Sequence, residues 1–325
     1  MIAKERKVPM RIQLNETLLR RLPKNHPKRS EIESDLTRRQ AGYIGEQTVD
    51  RYLKSLPEKD YLVFQDLRLP NGHYHFQIDT LILSSKFALL IEVKNISGTL
   101  FFDRSFNQLI RTANDKEEGF PDRISQVDNQ QFQFNILLET LEISDLPLES
   151  LIVISKPATI LKTRHENSNI FQRICHVGNL ASKIREFTNR YTKEMITSKE
   201  LGYIHDHLLR NHTDPAYNIL KIYGISKQEI LTGVQCPECS TFQMARKHGV
   251  WQCPKCHNHT KEAHLHAISD YFALIDSSIT NLQFRKFLHL SSPDTATYLL
   301  KSMNLPSSGT TKGRMYLRPL NSRIL

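Results

Sequence analysis

The 325-residue chain has no run of about 18 or more apolar residues, the length a membrane-crossing helix needs, so no span is expected. Its opening, Met1-Ile2-Ala3-Lys4-Glu5-Arg6-Lys7, lacks the apolar stretch of a secretory signal, and a cytoplasmic protein is the expectation. Cysteine is scarce and odd in number: five in all, four of them clustered and Cys175 alone in an apolar run that suits a core residue. An odd count in a reducing compartment argues against a disulfide framework. The middle of the chain also lacks basic excess. Residues 1–40 hold 11 Lys/Arg against 5 Asp/Glu and residues 241–325 hold 11 against 4, whereas residues 41–240 hold 22 against 25. Basic flanks attract polyanions, although solvated surface lysines would give the same count.

The hydrophobic share is 39%, the charged share is 24% and the mean hydropathy is -0.44. These values suit a protein with real cores, and the length predicts two or three domains. The sequence divides into a basic segment (1–35), an α/β domain (36–190), a helical connector (191–233), a small metal module (234–262) and a mainly helical basic end (263–325). Pro9, Pro23 and Pro27 interrupt any long helix near the start, and a helical pattern runs from Asp35. Gly42 and Gly45 within that pattern suggest close packing against a sheet. A strand over 61–69, a turn at Pro70-Asn71-Gly72 and two further apolar runs follow, then a short strand near Leu100 and a long amphipathic helix over 122–141. Buried strands at 150–155 and 173–177 complete a mixed sheet flanked by helices.

Those two apolar runs carry the chemistry. Asp79 sits in the first, and Glu92 and Lys94 in the second. Side chains two apart on a strand share a face, so Glu92 and Lys94 point the same way, with Leu90. A hairpin with Ser85 and Lys86 as its loop places Asp79 directly opposite Glu92. Opposed Cβ atoms stand about 4.5–5.5 Å apart, and two carboxylates there repel unless a cation lies between them. A hard divalent ion resolves that conflict, and Mg²⁺ is the usual one beside phosphate.

Gly45-Glu46 in a helix, Gln77-Ile78-Asp79 on one strand, Ile91-Glu92-Val93-Lys94 on the next and Gln126 in a later helix resemble the nuclease-related domain. That domain belongs to the PD-(D/E)XK, or restriction-endonuclease-like, superfamily, and the resemblance spans residues 38–155. The helix around Gln126 lacks the Asn-Pro that often opens the family's glutamine motif, and Asp122 takes the capping place. The resemblance implies a restriction-endonuclease-like fold and hydrolysis of a phosphodiester. Asp79, Glu92 and the Val93 carbonyl would bind Mg²⁺ or Mn²⁺. Lys94 would position or deprotonate the attacking water, Glu46 would hold a water from the helix side, and Gln126 would orient the nucleophile or a phosphate. A lone Glu-x-Lys on a strand is usually an exposed ion pair; the joint pattern is far more specific.

Cys236-Pro-Glu-Cys239 and Cys253-Pro-Lys-Cys256 form two knuckles with 13 residues between them. Four thiolates give the closed tetrahedral shell of a structural Zn²⁺ site. The stretch between them reads as the hairpin of a zinc ribbon, turning at Lys247-His248-Gly249, with Trp251 against the metal. His257 and His259 are surface residues in this reading. Further on, residues 280–288 and 291–303 read as two helices, and Gly309 to Tyr316 resembles the wing of a winged helix-turn-helix. Thr295, Thr297, Tyr298 and Lys301 would then lie on or near the recognition helix, with Lys312, Arg314 and Arg318 on phosphates. A small helical domain that packs on a partner is the alternative.

Together these readings describe a Mg²⁺-dependent deoxyribonuclease whose zinc ribbon and basic end bind DNA. A non-catalytic DNA-binding protein, or an adaptor for a protein partner or a second copy of the chain, is the competing reading.

Overall fold

Residues 1–54, 56–57, 60–310 and 313–319 are described by a computed structural model. In chain order the elements begin with β1 (Ile2–Lys4), α1 (Met10–Arg21), α2 (Arg29–Leu53), β2 (Leu62–Asn71), β3 (Tyr74–Leu83) and β4 (Ala88–Lys94). Next come β5 (Thr99–Asp103), β6 (Gln108–Ala113), β7 (Lys116–Pro121), α3 (Arg123–Thr140), β8 (Leu148–Ile154), β9 (Ile160–Thr163) and β10 (Ile174–His176). They are followed by α4 (Leu180–Arg190), α5 (Ser198–Asn211), α6 (Ile219–Tyr223), β11 (Ala245–Lys247), β12 (Val250–Gln252) and β13 (His259–Thr260). The last are α7 (Ala263–Leu274), β14 (Ser278–Thr280), α8 (Asn281–Leu288), α9 (Pro293–Ser302), β15 (Ser307–Ser308) and β16 (Met315–Leu317). The chain forms two compact units, Met1–Val8 with Arg38–Pro215 and Pro9–Thr37 with Ala216–Leu325. No helix among the described residues is long and apolar enough to cross a membrane.

The first unit is built on a mixed six-stranded sheet of order β1-β2-β3-β4-β8-β10. Strands β2–β3 and β3–β4 pair antiparallel, whereas β1–β2, β4–β8 and β8–β10 pair in parallel. The period of two sorts β3 and β4 onto two cores. Leu81, Leu83 and Leu90 pack with Phe134, Leu137 and Leu138 of α3 on one face. Ile82, Leu89, Ile91 and Val93 pack with Val49 of α2 and Ile184 and Phe187 of α4 on the other. This is the expected α/β fold, a mixed sheet with helices on both faces.

Three features differ from the sequence reading. Helix α2 begins at Arg29, six residues before the expected start, because Pro27 ends the preceding chain and Ile32, fully buried, anchors the first turns. The stretch read as a connector supplies α5, held at its start by a capping box between Thr197 and Glu200. Its Ile204 and Leu208, an i,i+4 pair, are buried in the first unit's core. The segment 1–35 divides at Val8, since β1 pairs with β2 while Leu14, Leu18 and Leu22 pack with Ile219, Leu220 and Leu274 in the second unit. In addition, β7, β6, β5 and β9 form a second sheet of that order in the first unit. Its β6–β7 turn uses Asn114 and Asp115, both at positive φ, the backbone that a tight hairpin requires.

The second unit has two small sheets. Strands β11-β12-β13 carry the cysteine knuckles, and β14-β16-β15 lies beside α7, α8 and α9. One core joins them: Cys236, Cys253 and Trp251 pack in the same cluster as Phe284, Leu288, Leu299 and Tyr316.

Candidate functional site

The β3–β4 hairpin sets the first two acids. Its pairs Thr80↔Ile91 and Leu81↔Leu90 carry the register in which Asp79 stands opposite Glu92. Ser84 fixes the loop, its Oγ accepting from the amides of Lys86 and Phe87 at 3.2 and 3.1 Å and donating to the Phe87 carbonyl at 2.9 Å. Asp79 is held across the strands by the amide of Val93, which donates to Oδ2 at 2.9 Å. Glu92 is 2% exposed. Its Oε1 pairs with the Lys94 ammonium and accepts from Gln126 Nε2 at 2.6 Å, and its Oε2 accepts from Gln130 Nε2 at 2.8 Å. Asp79, Glu92, Lys94 and Gln126 therefore converge at one end of the sheet.

Both glutamines project from the start of α3. Asp122 caps that helix, accepting from the amides of Ile124 and Ser125 at 3.3 and 3.0 Å and pairing with Arg104 at 2.8 Å. Burial pushes the Asp122 carboxyl up, but the Ser125 hydroxyl, the two amides and Arg104 outweigh it and hold its pKa below the usual value.

Glu46 approaches from α2. Gly45 permits that approach, because a Cβ there would lie 2.6 Å from Asn95 Cβ and 2.8 Å from Ser155 Oγ. Gly42, the other glycine read as a packing position, has nothing within 4 Å of its would-be Cβ. Burial raises the Glu46 pKa to about 7; Arg6 pulls it down, while Asp66, Asp50 and Glu92 add to the rise. Burial also raises Asp79 well above the carboxylate range, reinforced by Glu92 and Glu46 and opposed by Lys94 and the Val93 amide. Burial and mutual repulsion thus both disfavour the charged forms of these acids at this place. The donors are carboxylate oxygens, the ligands that Mg²⁺ and Mn²⁺ prefer, so the residues fit a hard divalent cation. As they stand, the Glu46, Asp79 and Glu92 carboxylates do not all lie within 4.8 Å of one another.

Three residues of this cluster were not read from the sequence. Gln130 follows Gln126 at i,i+4 and so shares its helix face, a spacing that was available to find it. Asp50 stands in the same relation to Glu46. Arg6 binds both acids of α2, with Nη1 to Glu46 and Nε to Asp50 each at 2.8 Å, and carried no local signal at all.

The second cluster is the four thiols. Cys236, Cys239, Cys253 and Cys256 have Sγ atoms all within 4.8 Å of one another, and no other such group of His, Cys, Asp or Glu occurs among the described residues. Each knuckle closes on itself: the amide of Ser240 donates to the Cys236 carbonyl at 3.0 Å and that of His257 to the Cys253 carbonyl at 3.2 Å. Ser240 and His257 both take positive φ to do so, and neither His257 nor His259 joins the sulfur cluster. The arrangement can hold one tetrahedral zinc. Between the knuckles, β11 and β12 turn at His248 and Gly249. Trp251 is fully buried and donates its indole N–H to His264 Nδ1 at 3.2 Å.

In the last 60 residues, Ser292 caps α9 by accepting from the Thr295 amide at 3.1 Å, with Pro293 in the first turn. Tyr298 and Lys301 are exposed on α9, and Thr295 is half-buried. Thr297 is engaged locally, donating to the Pro293 carbonyl and accepting from Asn281 Nδ2, each at 2.9 Å. Arg314 and Arg318 are half-buried at the two ends of β16, and Lys312 lies outside the described residues.

Residues 41–155 match the family model of the nuclease-related domain. Neither a curated protein nor a solved structure matches the chain.

Proposed function

We propose that the chain is a divalent-metal-dependent nuclease that hydrolyses phosphodiester bonds in DNA. The observation that carries this reading is the buried Glu92 carboxylate, which gathers Lys94, Gln126 and Gln130 next to an Asp79 whose pKa is raised by burial and by Glu92. Asp79, Glu92 and the Val93 carbonyl would hold Mg²⁺ or Mn²⁺, which supplies charge stabilisation at the phosphate and a lowered water pKa. Gln126 and Gln130 keep both Glu92 oxygens oriented through their side-chain N–H groups. Lys94, reaching out from the same strand face, offers N–H donors to a phosphate oxygen or holds the attacking water. Glu46 faces the site from α2 and orients water on that side.

The remaining modules fit a DNA substrate. The four cysteines hold one structural zinc. The order β14, α8, α9, β15, β16, with β16 central in its sheet, supports reading this module as a winged helix. In that reading α9 is the recognition helix, with Thr295, Thr297 and Lys301 toward the bases and Lys312, Arg314 and Arg318 toward phosphates.

The test is cleavage of plasmid and linear duplex DNA with and without Mg²⁺ or Mn²⁺, by the intact chain and by Asp79→Ala and Lys94→Ala. Cleavage is expected only with metal, and each variant should lose it while still binding DNA. A chain that binds DNA without cutting under any metal would support the non-catalytic reading. Salt-independent or absent DNA binding would support the adaptor reading.

A further inference from the structure

Arg6 lies 40 residues before Glu46 and 73 before Asp79, yet its guanidinium is spent wholly on the site. The side chain is 3% exposed. Nε donates to Asp50 Oδ2 and Nη1 to Glu46 Oε2, each at 2.8 Å. Nη2 reaches Asp50 Oδ1 at 3.3 Å, the Asp79 carbonyl at 2.7 Å and Thr80 Oγ1 at 3.2 Å. One planar fork thus ties the helix that carries Glu46 to the strand that carries Asp79, which an ammonium cannot do.

The chain delivering Arg6 is itself fastened to β2. Strand β1 pairs with β2, Lys4 Nζ donates to the carbonyls of Gln65 and Asp66 at 2.7 and 2.8 Å, and the Arg6 amide donates to Gln65 Oε1 at 2.8 Å.

The charges then balance in a definite way. Lys4 lies against Asp66. Arg6 and Lys94 are the cations among Glu46, Asp50, Asp79 and Glu92. With all four acids ionised, as around a bound cation, two cations leave an excess of two negative charges, one on the Glu46–Asp50 side and one on the Asp79–Glu92 side.

We propose that Arg6 is a positioning residue that supplies the helix-side positive charge of the site, so that the site takes one divalent ion rather than two. This inference rests on the nuclease reading of the same residues. Arg6 halves the charge of Glu46 and Asp50, occupies an oxygen of each with its fork, fixes the Asp79 backbone, and leaves the strand side as the place for a single ion. Without Arg6 the excess becomes three, and a second ion is drawn to the helix side while the alignment of Asp79 is lost.

The test titrates zinc-loaded protein with Mn²⁺ and counts bound ions by electron paramagnetic resonance, with the cleavage rate measured in parallel. The intact chain should bind one Mn²⁺ beyond its zinc. Arg6→Gln should bind two and cleave about 10- to 100-fold more slowly, the usual size of losing a partner of a metal ligand. Arg6→Lys keeps the charge but not the fork, so it should bind one ion and still cleave slowly. Two Mn²⁺ in the intact chain would overturn the inference without need of any variant. A folded Arg6→Gln with one ion and full rate would overturn it while leaving the nuclease reading intact, and so would loss of ion binding together with rate, which marks a purely structural role. Failure of the intact chain both to bind Mn²⁺ and to cleave would remove the nuclease reading and this inference with it.

Discussion

Gln130 donates its side-chain N–H to Oε2 of Glu92 at 2.8 Å, so an acid on β4 takes its orientation from the second turn of α3. With Gln126 on Oε1, both oxygens of a nearly inaccessible carboxylate are aimed by one helix. Gln130→Ala should therefore lower metal-dependent cleavage about 10-fold or more, with little change in DNA affinity. Rates at saturating Mg²⁺, beside a filter-binding assay, check this, and an unchanged rate would remove Gln130 from the site.

Gly45 and Gly42 make a paired test of helix packing. Gly45→Ala should destabilise the first unit by about 1–3 kcal/mol, the cost of forcing a methyl into the contact with Asn95 and Ser155. Gly42→Ala meets no atom and should gain up to about 1 kcal/mol from helix propensity. Opposite shifts of the thermal midpoint are the expected outcome; equal shifts would mean that α2 does not approach the strand ends as described.

Trp251 reports on the zinc cluster because it is the sole tryptophan and shares a core with Cys236 and Cys253. Freshly purified protein should contain one zinc per chain. Stripping it with a chelator should move the Trp251 emission to longer wavelength as the core opens to water. Protein lacking zinc but retaining a blue-shifted emission would contradict the assignment.

The Asp122 cap gives a pH dependence of stability with a definite sign. Its folded-state pKa lies below the unfolded value, so its contribution is full above the unfolded pKa, about 3.9, and is lost as pH falls through the folded one. Asp122→Ala should cost about 1 kcal/mol near neutral pH. In urea titrations the gap between the intact chain and this variant should narrow as pH falls from about 5 to about 2, and a gap constant across that range would refute the role.

What the sequence made legible was local. The hairpin register followed from two apolar runs and a two-residue loop, and it put Asp79 and Glu92 face to face. The cysteine spacing announced the four-sulfur cluster. The helix through Gln126 announced its own cap at Asp122. The parts that escaped depend on contacts distant in the chain. Nothing near Arg6 says that its fork ends on the carbonyl of Asp79. The apolar pair Ile204 and Leu208 marks a buried helix face without saying which sheet buries it. Residues 104–121 form β6 and β7 from a polar stretch in which only Asn114-Asp115 hints at a turn.

Strand β4 is buried on both faces, with Leu90 in one core and Leu89 and Ile91 in the other. Its own composition therefore barely distinguishes one side from the other, and the register against β3 decides which way each residue looks. Parity becomes the guarded quantity: a one-residue slip of β4 against β3 would send Glu92 and Lys94 to the far side and strand Asp79. The Ser84 hydroxyl, by closing the turn, thus guards the side on which the acids of the hairpin meet.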